Sequence, residues 1–180
     1  MDAEITGWIN GFAGMSALAD AVMVAVSAYG VQLVVGLVVL QWWGRRNRLH
    51  LRHAALAAGL SFLTGLALNQ FVQLFVQRVR PYDSGVTGLL IAKSADWSFP
   101  SDHATAAVAV AVALLMQGLH LRGWLIMALA ALICLSRVFI GVHYLGDVAG
   151  GAATGIVAAL LVRSLYREGN AIDRIAVRIL

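Results

Sequence analysis

The sequence predicts an all-α fold: a polytopic transmembrane helical bundle of about five spans, with short amphipathic helices at its ends. Three observations carry this. Hydrophobic residues make up 61% of the 180-residue chain before its 18 glycines are added, whereas soluble domains hold about 45–50% with glycine included. Charged residues make up 12%, roughly half the usual quarter. Two runs, Ala21–Gly44 and His53–Gln77, carry no charge when histidine is counted as neutral, and a bilayer-spanning helix needs about 20 mostly apolar residues. A soluble protein of this size has too little interior to hide that much apolar surface. The composition therefore excludes a cytosolic enzyme, a disordered chain and a nucleic-acid binder. The net charge of +4 has its basic residues beside apolar segments, where they set orientation in a bilayer. The length fits one domain over residues 1–180.

The elements follow in order. Ile5, Trp8, Ile9 and Phe12 recur at helical spacing, which predicts a short interfacial helix. Asp2 and Glu4 stand where a cleavable signal peptide would carry basic residues, so none is expected. Spans are expected near 18–43, 53–78, 102–120, 122–141 and 144–164. The last three reach spanning length only by including polar residues such as His103, Arg137 and Asp147, and polar groups at that depth are costly and usually functional. Residues 166–180 alternate basic and apolar positions, as an amphipathic tail on a membrane surface does. The lone Cys134 lies in an apolar run, which excludes a disulfide framework.

Five spans place Arg45, Arg46, Arg48, Arg52, Arg122, Arg163, Arg167, Arg174 and Arg178 on one side. Only Arg78, Arg80, Lys93 and Arg137 fall on the other. The positive-inside rule then puts the N-terminus and the long loop from about 79 to 101 outside, and the C-terminus inside.

The chemically suggestive residues gather on that outer side. Arg78, Arg80 and Pro81 open the long loop, and Ser98 to His103 close it. Ser136, Arg137, Gly141, His143 and Asp147 straddle the junction between spans four and five. Arginines offer planar, permanently charged forks for phosphate oxygens. Pro100-Ser101-Asp102-His103 reads as a helix start, whose backbone N–H groups and dipole favour an anion. One histidine can serve as nucleophile and another as general acid. His143 and Asp147 are four apart, so on a helix the carboxylate shares a face with the imidazole and can orient it. An anion pocket with a nucleophile and an acid indicates phosphoryl transfer. The bland readings differ: His50, His53 and His120 are interfacial residues of the basic inner loops, and Asp83 and Asp96 are solvated loop charges. Asn69 is an interhelical hydrogen-bonding residue, Trp97 and Phe99 anchor the loop at the interface, and Gly146, Gly150, Gly151 and Gly155 serve close packing. Five histidines without a zinc-binding helix motif make a metal site an unsupported reading.

With these residues the chain resembles the type-2 phosphatidic acid phosphatase family of integral-membrane lipid phosphatases. One signature, Ser136-Arg137-Val-Phe-Ile-Gly141-Val-His143-Tyr-Leu-Gly-Asp147, is complete. A second, Pro-Ser-Gly-His in most members, is Pro100-Ser101-Asp102-His103 here. The first keeps Arg80-Pro81 but has Gln73 at the lysine position, so Arg78, Arg80, Arg137 or Lys93 would carry more of the phosphate. The motifs span residues 73–147. The resemblance implies that His143 attacks phosphorus to form a phosphohistidine, that Asp147 orients it, and that His103 protonates the leaving oxygen. It implies that Arg80, Arg137, Ser101, Asp102 (through its backbone) and the Gln73 position hold the phosphate, with no metal and no cofactor. The Phe-Pro-Ser-Asp-His spelling is similar to the bacitracin-resistance branch, the undecaprenyl pyrophosphate phosphatases. That implies recycling of a polyprenyl carrier lipid at the outer face of a bacterial cytoplasmic membrane, with lipid and bilayer as the only partners. The oligomeric state stays open. The rivals are another lipid phosphate (phosphatidic acid, phosphatidylglycerol phosphate, lipid A phosphates) and an anion or lipid transporter.

Overall fold

A computed structural model describes residues 1–45 and 47–179. Arg46 and Leu180 lie outside the described residues, as do the side chains of Arg178 and Ile179, so Arg46 and Arg178 enter the orientation argument from sequence alone. The described chain is all-helical: α1 (Asp2–Asn10), α2 (Ala17–Leu40, extended by a 3-10 turn at Gln41–Trp43), α3 (Arg48–Gln73), α4 (Asp102–Met116), α5 (His120–Phe139), α6 (Leu145–Leu165) and α7 (Ala171–Ile179). Four of these, α2 with its turn, α3, α5 and α6, are long and apolar enough to cross a membrane. The fifth expected span, α4, stops at Met116. Its 15 residues reach only about 22 Å, short of the roughly 30 Å hydrocarbon core.

The short α4 is the core of the bundle, enclosed by α3, α5 and α6, while α2 lies outside against α5. Its sequence explains this. Ala104, Ala106, Ala107, Ala109, Ala111 and Ala113 are all buried, and so many small side chains let three helices close in. Gly155 on α6 completes the fit. A Cβ there would lie 2.6 Å from the carbonyl oxygen of Thr105 and 2.9 Å from the amide nitrogen of Ala109. The predicted packing role of the α6 glycines thus holds at Gly155. Outward, Leu18, Val22, Tyr29, Leu33 and Leu40 on α2, and Leu160 and Leu165 on α6, are exposed, as lipid-facing side chains are.

The helix α3 begins five residues earlier than expected and ends five earlier. The early start goes with a polar anchorage at the end away from the long loop. His53 is fully buried, and its Nδ1 bonds the Asp173 carboxylate at 2.8 Å. Tyr166 donates to the same carboxylate at 2.5 Å, and its ring stacks on His53. Arg52 donates to the Val177 carbonyl at 2.8 Å and lies over Trp42. His53 is therefore a buried clamp on the C-terminal helix, not an interfacial residue. His50 bonds Glu168 and the Gln117 carbonyl, and His120 opens α5. The amphipathic tail α7 is thus pinned to the bundle.

At the other end α1 is turned polar side in. Thr6 and Asn10 are buried while Ile5, Trp8 and, just past the helix, Phe12 are exposed, and only Ile9 of the predicted apolar set packs inward. Asn10 donates to the carbonyls of Gly88 and Phe139 and accepts from the Gly88 amide. The helix therefore straps the long loop to the end of α5.

Candidate active site

The residues from Leu74 to Ser101 form no regular element, and hydrogen bonds hold them over the end of the bundle. Arg80 is the main internal tie. Its side chain is 4% exposed. Its Nε donates to the Asp96 carbonyl (3.0 Å), its Nη1 to the Val142 carbonyl (2.8 Å), and its Nη2 to the Asp96 carboxylate (2.9 Å) and the Trp97 carbonyl (3.4 Å). The loop thus joins the α5–α6 turn through one guanidinium. Gly141 makes that turn possible: its φ is +86°, and a Cβ would collide with the Gly88 carbonyl. Only glycine enters that backbone region without cost.

Beneath the loop lies a cavity of about 120 Å³, lined by Gln73, Arg80, Ser94, Asp96, Trp97, Pro100, Asp102, His103, Arg137 and His143. Three distant stretches meet there: the end of α3, the start of α4 with the loop before it, and the end of α5 with the turn after it. His143 is held from one side. Its Nδ1 donates to the Ser98 carbonyl at 2.8 Å. A bond to a carbonyl requires the proton on Nδ1, so Nε2 keeps its lone pair. Burial holds the His143 imidazole below its usual pKa, together with the Arg137 and Arg80 charges and against the pull of Asp147.

Asp147, in the first turn of α6, is fully buried. Its Oδ2 is 3.7 Å from His143 Nδ1, longer than a hydrogen bond. The carboxylate instead organises the segment that holds the histidine. It accepts from Ser98 Oγ (2.5 Å), the Tyr144 amide (2.8 Å) and Arg78 Nη1 (2.8 Å). Ser98 is therefore a bridge, with its hydroxyl on Asp147 and its carbonyl on His143. Arg78 continues the chain to Asp2, whose other oxygen accepts from the Gly146 amide. Burial disfavours the Arg78 charge, but the carboxylates of Asp2 and Asp147 outweigh it and raise its pKa.

The remaining predicted residues fall as follows. Arg137 is buried in the last turn of α5. It donates from Nη1 to Ser27 Oγ at 2.5 Å, and its Nε has no hydrogen-bond partner. Ser101 takes the N-cap position of α4 with extended backbone, yet its buried Oγ caps nothing and is also without a partner. Arg137 Nε and Ser101 Oγ are thus two buried polar atoms left with unused hydrogen-bonding capacity, one on a cavity-lining residue and one between the lining residues Pro100 and Asp102. Asp102 Oδ1 accepts from Asn69 Nδ2 at 2.7 Å, and Asn69 also reaches Thr105. Asn69 is thus the interhelical residue the sequence indicates. Gln73 ends α3 at the cavity wall, half-buried, whereas Gln77 lies beyond the helix and is exposed. Phe99 packs on α6 at Gly150.

Three readings change. Arg78 lies outside the cavity lining and is engaged by carboxylates. Lys93 is outside it too: it pairs with Asp83 at 2.6 Å, and that bond raises its pKa. Asp96 is not a free solvated charge but a cavity wall residue. Burial works to raise its pKa, yet donation from Ser94 and Arg80 holds it low. Sequence reasoning also missed Ser27, although a lone serine in an apolar span is a usable signal. Ser98 falls within the suggestive stretch but carries no role from sequence, and nothing local marks Asp2; their partners are 49 and 76 residues away. Among the described residues, no group of three or more His, Cys, Asp or Glu side chains is placed to hold a metal ion.

Comparison with known proteins points the same way. The PAP2 superfamily model matches residues 54–170. The chain is 32% identical over 161 residues to the undecaprenyl-diphosphatase BcrC of Bacillus subtilis, covering 89% of this chain and 82% of the relative. It is 31% identical over 154 residues to the decaprenylphosphoryl-5-phosphoribose phosphatase of Mycobacterium tuberculosis, covering 83% and 85%. The crystal structure of a transmembrane PAP2-type phosphatidylglycerolphosphate phosphatase from Bacillus subtilis superposes with a TM-score of 0.70 at 24% identity, covering 91% of this chain and 83% of that one. At that identity the likeness shows the fold.

Proposed function

The chain belongs to the PAP2 superfamily and is a membrane lipid phosphatase, and from that premise we propose that it converts undecaprenyl pyrophosphate to undecaprenyl phosphate through a phosphohistidine at His143. The observation that carries this is the placement of His143. Its Nδ1 is fixed on the Ser98 carbonyl, so its free Nε2 belongs to a cavity wall shared with Arg137, Arg80 and His103.

The steps use this chain's own residues. The terminal phosphoryl group enters the cavity, where Arg137 with its unpartnered Nε and the free Ser101 hydroxyl take its oxygens, beside Arg80 and the start of α4. His143 Nε2 forms a bond to phosphorus while the bridging P–O bond breaks. The electron pair stays on the departing oxygen, which takes a proton from His103. His103 then accepts a proton from water as that water attacks phosphorus. The N–P bond breaks, its electron pair returns to Nε2, and inorganic phosphate leaves. Charge developing on the phosphoryl oxygens meets donors that are already in place. Asp147 acts through Ser98 and the Tyr144 amide to keep the imidazole aimed.

A polyprenyl substrate is supported by both named relatives, whose names describe phosphatases of polyprenyl-linked phosphates. The small polar cavity receives only the headgroup, and the tail stays among lipid-facing helices. An outward-facing site in a bacterial cytoplasmic membrane is supported by the end of the bundle opposite the cavity, where Arg45, Arg48, Arg52, Arg122, Arg163, Arg167 and Arg174 gather. The test is a panel of undecaprenyl pyrophosphate, phosphatidic acid and phosphatidylglycerol phosphate presented to purified protein in detergent. The polyprenyl pyrophosphate is expected to turn over fastest, and faster hydrolysis of a glycerol phospholipid contradicts the assignment.

A further inference from the structure

Two guanidinium groups, Arg80 and Arg137, and two carboxylates, Asp96 and Asp102, line the same cavity. Apart from the histidines, the fixed charges around the phosphate position therefore cancel. That is an unexpected balance for a site that must hold an anion. The two carboxylates are not equivalent. Asp102 is bonded to Asn69 and belongs to the α3–α4 contact. Asp96 sits on Arg80 itself, with both its carboxylate and its carbonyl bonded to the fork. The Arg80 side chain is 4% exposed and that of Asp96 54%, so the carboxylate lies on the open side of a buried cation. A phosphoryl group entering the cavity must share Arg80 with Asp96.

We propose that Asp96 is a specificity-determining residue, a fixed counter-charge that holds phosphate affinity down so that the site cleaves phosphoanhydrides and releases phosphomonoesters. This rests on the phosphatase reading above. Both substrate classes would form the same bond from His143 Nε2 to phosphorus and break a P–O bond. They differ in the oxygen that leaves. From a pyrophosphate it belongs to a second phosphate, which delocalises the charge. From a monoester it is an alkoxide, which needs fuller protonation and a stronger positive field. Cancelling part of the field at Arg80 costs the ester more than the anhydride. The same counter-charge loosens the inorganic phosphate and the lipid monophosphate left after one cleavage, so the reaction stops there.

The test is Asp96→Asn, which removes the charge and keeps an acceptor for Arg80 and Ser94. Inhibition by inorganic phosphate should tighten about tenfold, the order for one fixed charge about 5 Å from an anion at an effective dielectric of about 50, as suits a half-exposed carboxylate. The ratio of kcat/KM on polyprenyl monophosphate to that on polyprenyl pyrophosphate should rise by a similar factor. Asp96→Ser, also neutral, should move both in the same direction, and Asp96→Glu should leave both near wild type. Unchanged or weaker phosphate inhibition in the neutral variants overturns the proposal and leaves Asp96 as a mere anchor for Arg80. Thermal stabilisation by inorganic phosphate reads the same affinity without turnover. A wild-type protein inactive on polyprenyl pyrophosphate would contradict the substrate assignment and leave this readout standing.

Discussion

The substitution Ser98→Ala isolates how Asp147 reaches His143. The Ser98 hydroxyl donates to Asp147 Oδ2 at 2.5 Å, and the Ser98 carbonyl accepts from His143 Nδ1 at 2.8 Å. Alanine removes the first bond and keeps the second. Asp147 retains Arg78 and the Tyr144 amide, so its charge stays paired. The lost bond is buried and charge-assisted, worth about 1.5–3 kcal/mol of stability. The kinetic effect is on aim. Without the hydroxyl, the Ser98 carbonyl loses its direct tie to the Asp147 carboxylate and is held to α6 only through the Ser101 amide on the Asp147 carbonyl and the packing of Phe99 on Gly150, and a displacement of about 1 Å at a reacting group can cost on the order of 100-fold. We expect kcat for lipid pyrophosphate to fall about 10- to 100-fold with KM little changed, and Ser98→Thr to recover most of it. Stopped-time phosphate release across a substrate range, with thermal unfolding of the same samples, measures both. Wild-type kcat in a folded Ser98→Ala protein would refute the bridge and return the orienting role to direct contact across the 3.7 Å gap.

Arg137→Lys loses the planar fork and should raise KM about 10- to 100-fold, from loss of a charge-assisted bond worth about 1.5–3 kcal/mol; an unchanged KM in a substrate titration would exclude Arg137 from phosphate binding. On the proposed mechanism His143 reacts through a free Nε2, and burial lowers its pKa. Activity should therefore persist as pH falls and be lost only through that lowered pKa, so the acid limb of kcat/KM should have its midpoint below the ordinary histidine value of about 6.5; a midpoint above it contradicts the buried geometry. Asp173→Ala leaves His53, Tyr166 and the Gly169 amide without their buried acceptor and should cost about 3 kcal/mol or more. The thermal midpoint should drop while phosphate release by the folded fraction is retained, because this cluster is at the other end of the bundle.

The bundle was legible because composition and charge-free runs act locally, within a window one helix long. α2, α5 and α6 fall within a few residues of the expected spans. The inner boundary of α3 was not legible, since Arg52 and His53 look like loop residues until Val177 and Asp173, more than 100 positions away, supply their partners. The same limit applies at the cavity. His103, His143, Arg80, Arg137, Gln73 and Asp102 all line it, as their motif positions suggest. Ser101 and Asp147 lie beside it as a free hydroxyl and a buried organiser. Asp96 and Lys93, by contrast, are both loop charges with no pattern to separate them. Only the fold reveals that one faces Arg80 and the other pairs with Asp83 in solvent. The strap α1 hid for another reason: of its patterned apolar residues only Ile9 packs inward while Ile5 and Trp8 are exposed, so hydrophobic periodicity does not mark the Asn10, Thr6 and Asp2 contacts that hold it.

The most direct test of the central claim is to trap the covalent intermediate. Purified protein is mixed with lipid pyrophosphate labelled in its terminal phosphate and quenched in alkali, where phosphohistidine survives. Mapping the label to His143 in the wild type, with none on a folded His143→Ala protein, is the result expected. Label retained by His143→Ala, or full hydrolysis by it, would contradict the assignment of His143 as the nucleophile.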